Sequence, residues 1–384
     1  MDFTFGEDAE MVRQTAHEFV RHDLLPQEPK FLNSKDPAER AAIVEAASAS
    51  LKEMGLYNAG VPETFGGGGL GTIETCLIAD ELGQTIIPVE WGKLTPILYE
   101  CSDTQKPVYL ASVVEGSKSY AVAFNEPVPF ANPAKMATTA KQSVSGWTLN
   151  GTKVLPGHKA NFYLVFAQAR GLSPQGDCPQ CLIGPTCFIV DGDAAGTHLE
   201  GNLLKLSDCV VPADRVLGAP GKALSLGRKW FPLTRIIRAA AVLGACDRLL
   251  EVNAQYAHDW TGDCPRTGTV PRVPKPIQQA LGDMTGDIEA LRWLVYHTAW
   301  LARGLSPAIS AGNPGTVPRV DYDSMLLKLQ AHKVLTDTVN RSVRIHGGTI
   351  PPICEWLQKN AASEDATDML RLAVARETIS RLLP

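Results

Sequence analysis

A chain of 384 residues has room for two or three domains and a large buried core. Its 45% hydrophobic and 20% charged residues are ordinary for a globular protein. Its 36 basic and 41 acidic residues leave a net charge of −5, with no basic footprint for nucleic acid or for a membrane surface.

The opening MDFTFGEDAEMVRQ is acidic and lacks an apolar centre, so neither a secretory nor a transit peptide is expected there. Apolar residues three and four apart predict helices over 8–23, 38–55 and 73–83. Between 118 and 215 the pattern becomes short and β-rich: SYAVAFNE, WTLNGTKVL, NFYLVFAQA and TCFIVDG, separated by Gly, Pro and Asn. Helical spacing returns near 221–257, 276–304, 321–346 and 366–382, long segments that suit an antiparallel bundle. The first of these would be roughly 55 Å long. No apolar run approaches the roughly 20 residues of a membrane span. The expected order is a helical domain over 1–116, a small β domain over 117–219 and a helical bundle over 220–384. The nine cysteines lack framework spacing, which suggests reduced thiols in a cytoplasm.

Four motifs invite a chemical reading. FGGGGLG holds a literal GxGxxG at Gly66, Gly68 and Gly71, but a dinucleotide fingerprint needs a preceding strand. Here a helix precedes it, so a turn between helices is expected. DCPQC, with Cys178 and Cys181, is a lone CxxC; a zinc site wants a second pair, so a loop with free thiols is expected and no metal. RIHGG (Arg344 to Gly348) ends a long helix, where a glycine cap is the ordinary reading and close approach to a ligand the alternative. Glu364 stands where a helix start favours acids, which lowers a carboxyl pKa, whereas a working base needs it raised.

Taken together and in order, these pieces resemble the acyl-CoA dehydrogenase family over nearly the whole chain. MGLYNAGVPETFGGGGLGTIETCLIADELG is similar to the family's N-terminal segment, with Pro62, Glu63, Gly66 and Gly67 in its PExxGG pattern. LTRIIRAAAVLGACDRLLEVNAQYA resembles the first bundle helix, including the Thr234–Arg235 pair, which the resemblance makes substrate-side candidates. LGDMTGDIEALRWLVYHTAW resembles the next helix, from Asp283 and Met284 through Arg292 to Trp300. VRIHGG resembles the segment that approaches the flavin pyrophosphate, and SEDATDMLRLAVARE resembles YEGTNEIQRLVIARE, which sets Glu364 on the catalytic glutamate.

The resemblance implies a mainly α fold with a β-barrel-like middle domain and a C-terminal four-helix bundle. It implies an oxidoreductase acting on CH–CH bonds: a carboxylate takes the proton alpha to a thioester carbonyl, and hydride passes from the beta carbon to FAD. Electrons would leave through an electron-transferring flavoprotein. The departures are as informative. The family's TEPxAGSD appears as NEPVPFANPA, keeping Glu126 and Pro127 but not the Gly-Ser element. NGxKxWITNG appears as NGTKVLPGHKA, without the Trp and Thr that lie against the flavin ring. RxxFG reads CPRTG, with Arg266 and Gly268 as nearest equivalents, and EGT has become EDA. The ring-facing segments are altered, while the surface that reaches a neighbour's FAD is better kept, through Arg266, Gly268, His346, Gly347 and Gly348.

That pattern resembles the cofactor-poor subunit of bacterial heteromeric acyl-CoA dehydrogenases. It implies an α2β2 assembly with a homologous sibling and a shared FAD. The substrate would be a bulky acyl-CoA of the steroid or bile-acid side-chain kind, the setting lipid degradation in a bacterial cytoplasm, and Glu364 vestigial. The alternatives are a self-sufficient homo-oligomeric dehydrogenase using Glu364, and a flavin-free scaffold or acyl-CoA-binding module on the same fold.

Overall fold

The computed structural model describes residues 4–89, 91, 96–127, 133–144, 146–155, 159–171, 182–259, 273–303, 316–347, 351–361 and 367–382. In chain order the helices are α1 (Glu7–Phe19), α2 (Glu28–Asn33), α3 (Pro37–Glu53), α4 (Thr72–Leu82) and α5 (Ala111–Val114). After the strands come α6 (Ala223–His258), α7 (Lys275–Ala302), α8 (Thr316–His346), α9 (Pro352–Ala361) and α10 (Thr367–Leu382). The strands are β1 (Tyr120–Ala123), β2 (Thr139–Ser143), β3 (Gly146–Val154), β4 (Phe162–Arg170), β5 (Leu182–Asp191), β6 (Thr197–Glu200), β7 (Leu203–Pro212) and β8 (Val216–Leu217). Helices at both ends of the chain and a central sheet are the architecture expected from the residue patterns.

Compactness separates two units. Met1–Pro62, Gly68–Lys93 and Pro232–Pro384 form a helical unit; Glu63–Gly67 and Leu94–Phe231 form a sheet unit. The division falls inside α6, beside its interior proline, Pro232.

In the helical unit the N-terminal helices and the bundle share one core. Leu51, Ile78, Leu243, Leu249, Met284, Val295, Leu327 and Val334 belong to it, each nearly or fully buried. Helix starts follow local chemistry. Asp36 caps α3 by accepting the Ala38 N–H at 2.9 Å, with Pro37 at the first helical position. Glu7, Asp8 and Glu10 crowd the first turn of α1, where the helix dipole favours acids. The predicted 8–23 helix is α-helical only to Phe19 and continues as a π-helical stretch over Val20–Leu24. Helices α4 and α6 come so close that a methyl on Gly244 would overlap the Asp80 carbonyl oxygen. One on Gly83 would likewise overlap that of Ala241.

Among the described residues the sheet unit holds eight strands, in the order β6-β7-β3-β2-β4-β5-β8 with β1 on β4. β3 pairs antiparallel with β2 and β7, β4 antiparallel with β5, and β4 parallel with β1 and β2. Trp147, Leu149, Tyr163, Val165, Phe188, Val190, Leu204 and Leu206 fill one core between these strands. β4 begins with six consecutive buried residues, the run expected of a strand covered on both faces.

The glycines of FGGGGLG lie in a turn, as expected. Gly68 N–H donates to Asn58 O at 3.2 Å and Gly69 N–H to Val61 O at 2.8 Å, and Gly71 directly precedes α4. Six cysteines in the described residues (Cys76, Cys101, Cys187, Cys209, Cys246 and Cys354) are free and buried. Among the described residues no helix is long and apolar enough to cross a membrane, and no three His, Cys, Asp or Glu side chains are grouped to hold a metal.

Candidate functional site

Of the residues singled out in the sequence, Glu364, Arg266, Gly268, Gly348, Cys178 and Cys181 lie outside the described residues. Thr234, Arg235, His346 and Gly347 are described, all in the helical unit.

Arg235 is held inside the bundle. Its Nη1 donates to Asp321 Oδ1 at 2.7 Å and to Ser324 Oγ at 3.2 Å on α8, and Ser324 in turn donates to the Asp321 carbonyl at 2.8 Å. Burial pulls the guanidinium below its ordinary pKa, and Asp321 opposes that pull. Its charge is therefore matched by this chain's own carboxylate, 86 residues on, and the pair sits next to half-buried Thr234.

His346 and Gly347 close α8. The His346 ring lies tilted against Tyr256 of α6, at a centroid distance of 4.2 Å and an interplanar angle of 42°. Burial lowers its pKa, so the ring is neutral at neutral pH. Gly347 takes φ +63 and donates its N–H to Val343 O at 3.1 Å, the left-handed residue that ends many helices. Among the described residues nothing lies within 4 Å of where its Cβ would be. The Arg344 side chain, two residues before His346, is exposed.

The sheet unit contains a second arrangement, built on the Glu126 and Lys153 that survive from the altered motifs. Lys153, at the end of β3, has no exposed surface. Its Nζ donates to Glu126 Oε1 at 3.0 Å and to Phe124 O at 3.1 Å, and lies 3.8 Å from Met136 Sδ. Glu126 also accepts the Ala137 and Thr138 N–H groups, each at 2.8 Å. One carboxylate thus ties both ends of the 127–136 stretch together. Burial alone would raise the Glu126 pKa, but the Ala137 and Thr138 N–H groups and Lys153 bring it down to about 2. Sequence reasoning named Glu126 but not Lys153, which lies within NGTKVLPGHKA; opposite charges 27 residues apart, flanking a proline-rich stretch, are the signal that could have paired them.

A third cluster was not legible at all. Asp80 on α4 accepts the Tyr296 hydroxyl at 2.8 Å and lies 3.7 Å from Arg292 of α7. Arg292 also donates to both oxygens of Asp247 on α6, at 2.7 and 3.0 Å. Burial, then Asp247, push Asp80 up to about 7, while Tyr296 and Arg292 oppose the rise. Perturbed carboxylates can mark functional sites. This one is sealed within three packed helices and reads as a stitch between them.

Comparison with known proteins finds relatives of the whole chain. The chain matches the family model described as "Acyl-CoA dehydrogenase, N-terminal domain" over residues 6–117 and "Acyl-CoA dehydrogenase, C-terminal domain" over residues 225–349, together more than half of its length. It is 25% identical over 371 residues to an acryloyl-CoA reductase (NADH) of Anaerotignum propionicum, covering 91% of this chain and 86% of that one. It is 24% identical to the (R)-benzylsuccinyl-CoA dehydrogenase of Thauera aromatica, covering 99% and 97%. Its fold is similar to that of an acyl-CoA dehydrogenase from Bacillus anthracis solved with FAD. The TM-score there is 0.79 at 22% identity, over 99% of this chain and 68% of the other.

Proposed function

From the premise that this chain belongs to the acyl-CoA dehydrogenase family, we propose that it is one subunit of a heteromeric FAD-dependent acyl-CoA dehydrogenase. In this reading it completes the FAD site of a homologous sibling, in an α2β2 assembly. The substrate is a bulky acyl-CoA, such as a steroid or bile-acid side-chain thioester, and electrons leave to an electron-transferring flavoprotein.

One contrast carries the reading. The end of α8 retains a left-handed glycine, with an exposed arginine three residues before it, which suits a negatively charged pyrophosphate arriving from outside the chain. The ring-facing segments lack their Gly-Ser and Trp-Thr elements, although Glu126 and Lys153 still clasp one of them. Arg266, Gly268, His346, Gly347 and Gly348 are assigned to the cross-subunit surface, and Thr234 and Arg235 to the substrate side. With its charge already matched by Asp321, Arg235 orients rather than binds an anion. FAD, when bound, takes up the two electrons removed from the substrate. Glu364 is a helix-start acid, and the sibling supplies the base. That a relative acts on a benzylsuccinyl thioester supports a bulky acyl group here.

The test is an absorption spectrum of the chain purified alone and then with the sibling encoded beside it. A colourless chain and a yellow pair, with the flavin band near about 450 nm, is the expected result. A lone chain carrying one FAD per subunit would establish a self-sufficient enzyme instead. A pair that stays colourless would point to a flavin-free module.

A further inference from the structure

The seam between α6 and α8 carries a file of polar side chains through an otherwise apolar core. Thr338, Ser342 and His346 follow one another at four-residue steps on α8 and so share a face. The Cys246 thiol lies against the Thr338 hydroxyl and the Cys354 thiol against Ser342. Asn253 on α6, fully buried, donates from Nδ2 to Ser342 Oγ at 2.7 Å and to Leu249 O at 2.5 Å, and Ser342 donates to Thr338 O at 2.9 Å. These bonds fix the amide: turned over, Asn253 Oδ1 would face the Leu249 carbonyl, acceptor against acceptor. Oδ1 is left sealed from solvent without a donor. One turn further along, where His346 lies tilted against Tyr256, His346 Nε2 is also sealed and without a partner.

Buried polar atoms left without partners are costly, and Asn253 Oδ1 and His346 Nε2 are two of the three found in this seam among the described residues, Thr338 Oγ1 being the other. Their placement offers a remedy. Asn253 and Tyr256 are three residues apart on α6, and their respective neighbours Ser342 and His346 are four apart on α8. Oδ1 and Nε2 therefore belong to side chains on successive turns of one seam, where a helix advances roughly 5.4 Å per turn. A water molecule making one bond of about 2.8 Å to each would span a step of that length.

We propose that one ordered water molecule occupies the α6–α8 seam, hydrogen-bonded to Asn253 Oδ1 and to His346 Nε2, and that Asn253 thereby acts as a positioning residue for His346. The water anchors the imidazole to the bundle core at the turn where Gly347 leaves the helix. It can donate to both atoms, or accept from Nε2–H and donate to Oδ1; either arrangement satisfies the amide.

The inference concerns the chain's own side chains and is independent of the flavin reading, so protein without FAD tests it equally well. A crystal structure of the full chain, alone or with its sibling, is expected to show a water within about 3.2 Å of both atoms. An empty seam, or direct contact between the two side chains, overturns the proposal. A second readout follows the His346 imidazole nitrogens by NMR, assigned from the H346Q spectrum. N253D is expected to raise the His346 titration midpoint by roughly half a pH unit or more, through the bridging water. N253L, which places no charge there, is expected not to raise it. A midpoint that N253D leaves unmoved would also overturn the bridge.

Discussion

Two ion clusters among the described residues solve one problem in opposite ways. In the sheet unit, Lys153 and Glu126 balance one positive charge against one negative, and two backbone N–H groups satisfy the remaining carboxylate lone pairs. In the helical unit, Asp80 and Asp247 share the single guanidinium of Arg292, and burial leaves the surplus negative charge expensive. The first cluster keeps its carboxylate ionised, at a pKa of about 2; the second keeps a carboxyl protonated, at a pKa of about 7. Charge count and backbone donors, rather than depth alone, decide which form is buried.

The sharpest way to break the balanced cluster is to remove its cation. Lys153→Met would leave Glu126, whose side chain is 5% exposed, without a counter-charge, and should cost about 3–5 kcal/mol in chemical unfolding near pH 7. Glu126 is lowered relative to its unfolded value of 4.5, so its contribution is present above that pH and lost as pH falls toward 2. The penalty of Lys153→Met should accordingly shrink in acid, where Glu126 can take a proton. A loss below about 1 kcal/mol at pH 7 would show that the pair adds nothing over its backbone hydrogen bonds.

The unbalanced cluster predicts the opposite sign. Asp80 is raised from 3.8 to about 7, so its unfolded form ionises first as pH climbs, and stability is lost between those values. Asp80→Asn removes the titration. It should leave stability unchanged near pH 4 and raise it by up to about 4 kcal/mol at pH 8. Equal stabilities at pH 8 would mean that Arg292 fully compensates the second charge.

Neither cluster was recognised from the chain beforehand, although the first left a signal there, whereas most of the architecture was legible. The long apolar stripes announced α6, α7 and α8 within a few residues of their observed ends, and the β-branched and aromatic runs announced β1, β3, β4 and β5. What escaped was structure that borrows its stability from neighbours. β2 reads TAKQS, with no strand signal, and exists because it is paired on both sides, by β3 and β4. α2 and α9 each carry a proline at or near their start, which reads locally as a break but suits a first helical turn. The candidate site divides similarly. The glycine turn after His346 was legible because a left-handed cap is a local requirement. The Asp321 that neutralises Arg235 was not, because it stands 86 residues away. Asp80 and Arg292 were likewise joined only by the packing of α4 against α7.

The smallest expected effect discriminates most finely between the two clusters. Tyr296 donates to Asp80 Oδ2, and its own phenol is pushed upward by burial and by Asp80, so it stays a donor across the accessible pH range. Tyr296→Phe keeps the ring, with its edge-on contact to Phe5 at 5.1 Å, and removes only the hydroxyl. Below pH 7 the lost bond joins two neutral groups and should cost about 1 kcal/mol. Above pH 7 the acceptor is a carboxylate, to which a hydrogen bond is roughly twice as strong, so the cost should about double. Unfolding free energies at pH 5 and pH 8 measure the difference. A penalty that grows with pH places the proton on Asp80 at pH 5, as the charge count requires. A penalty equal at both pH values would mean that Asp80 is ionised throughout, and that the helical unit, like the sheet unit, buries a carboxylate rather than an acid.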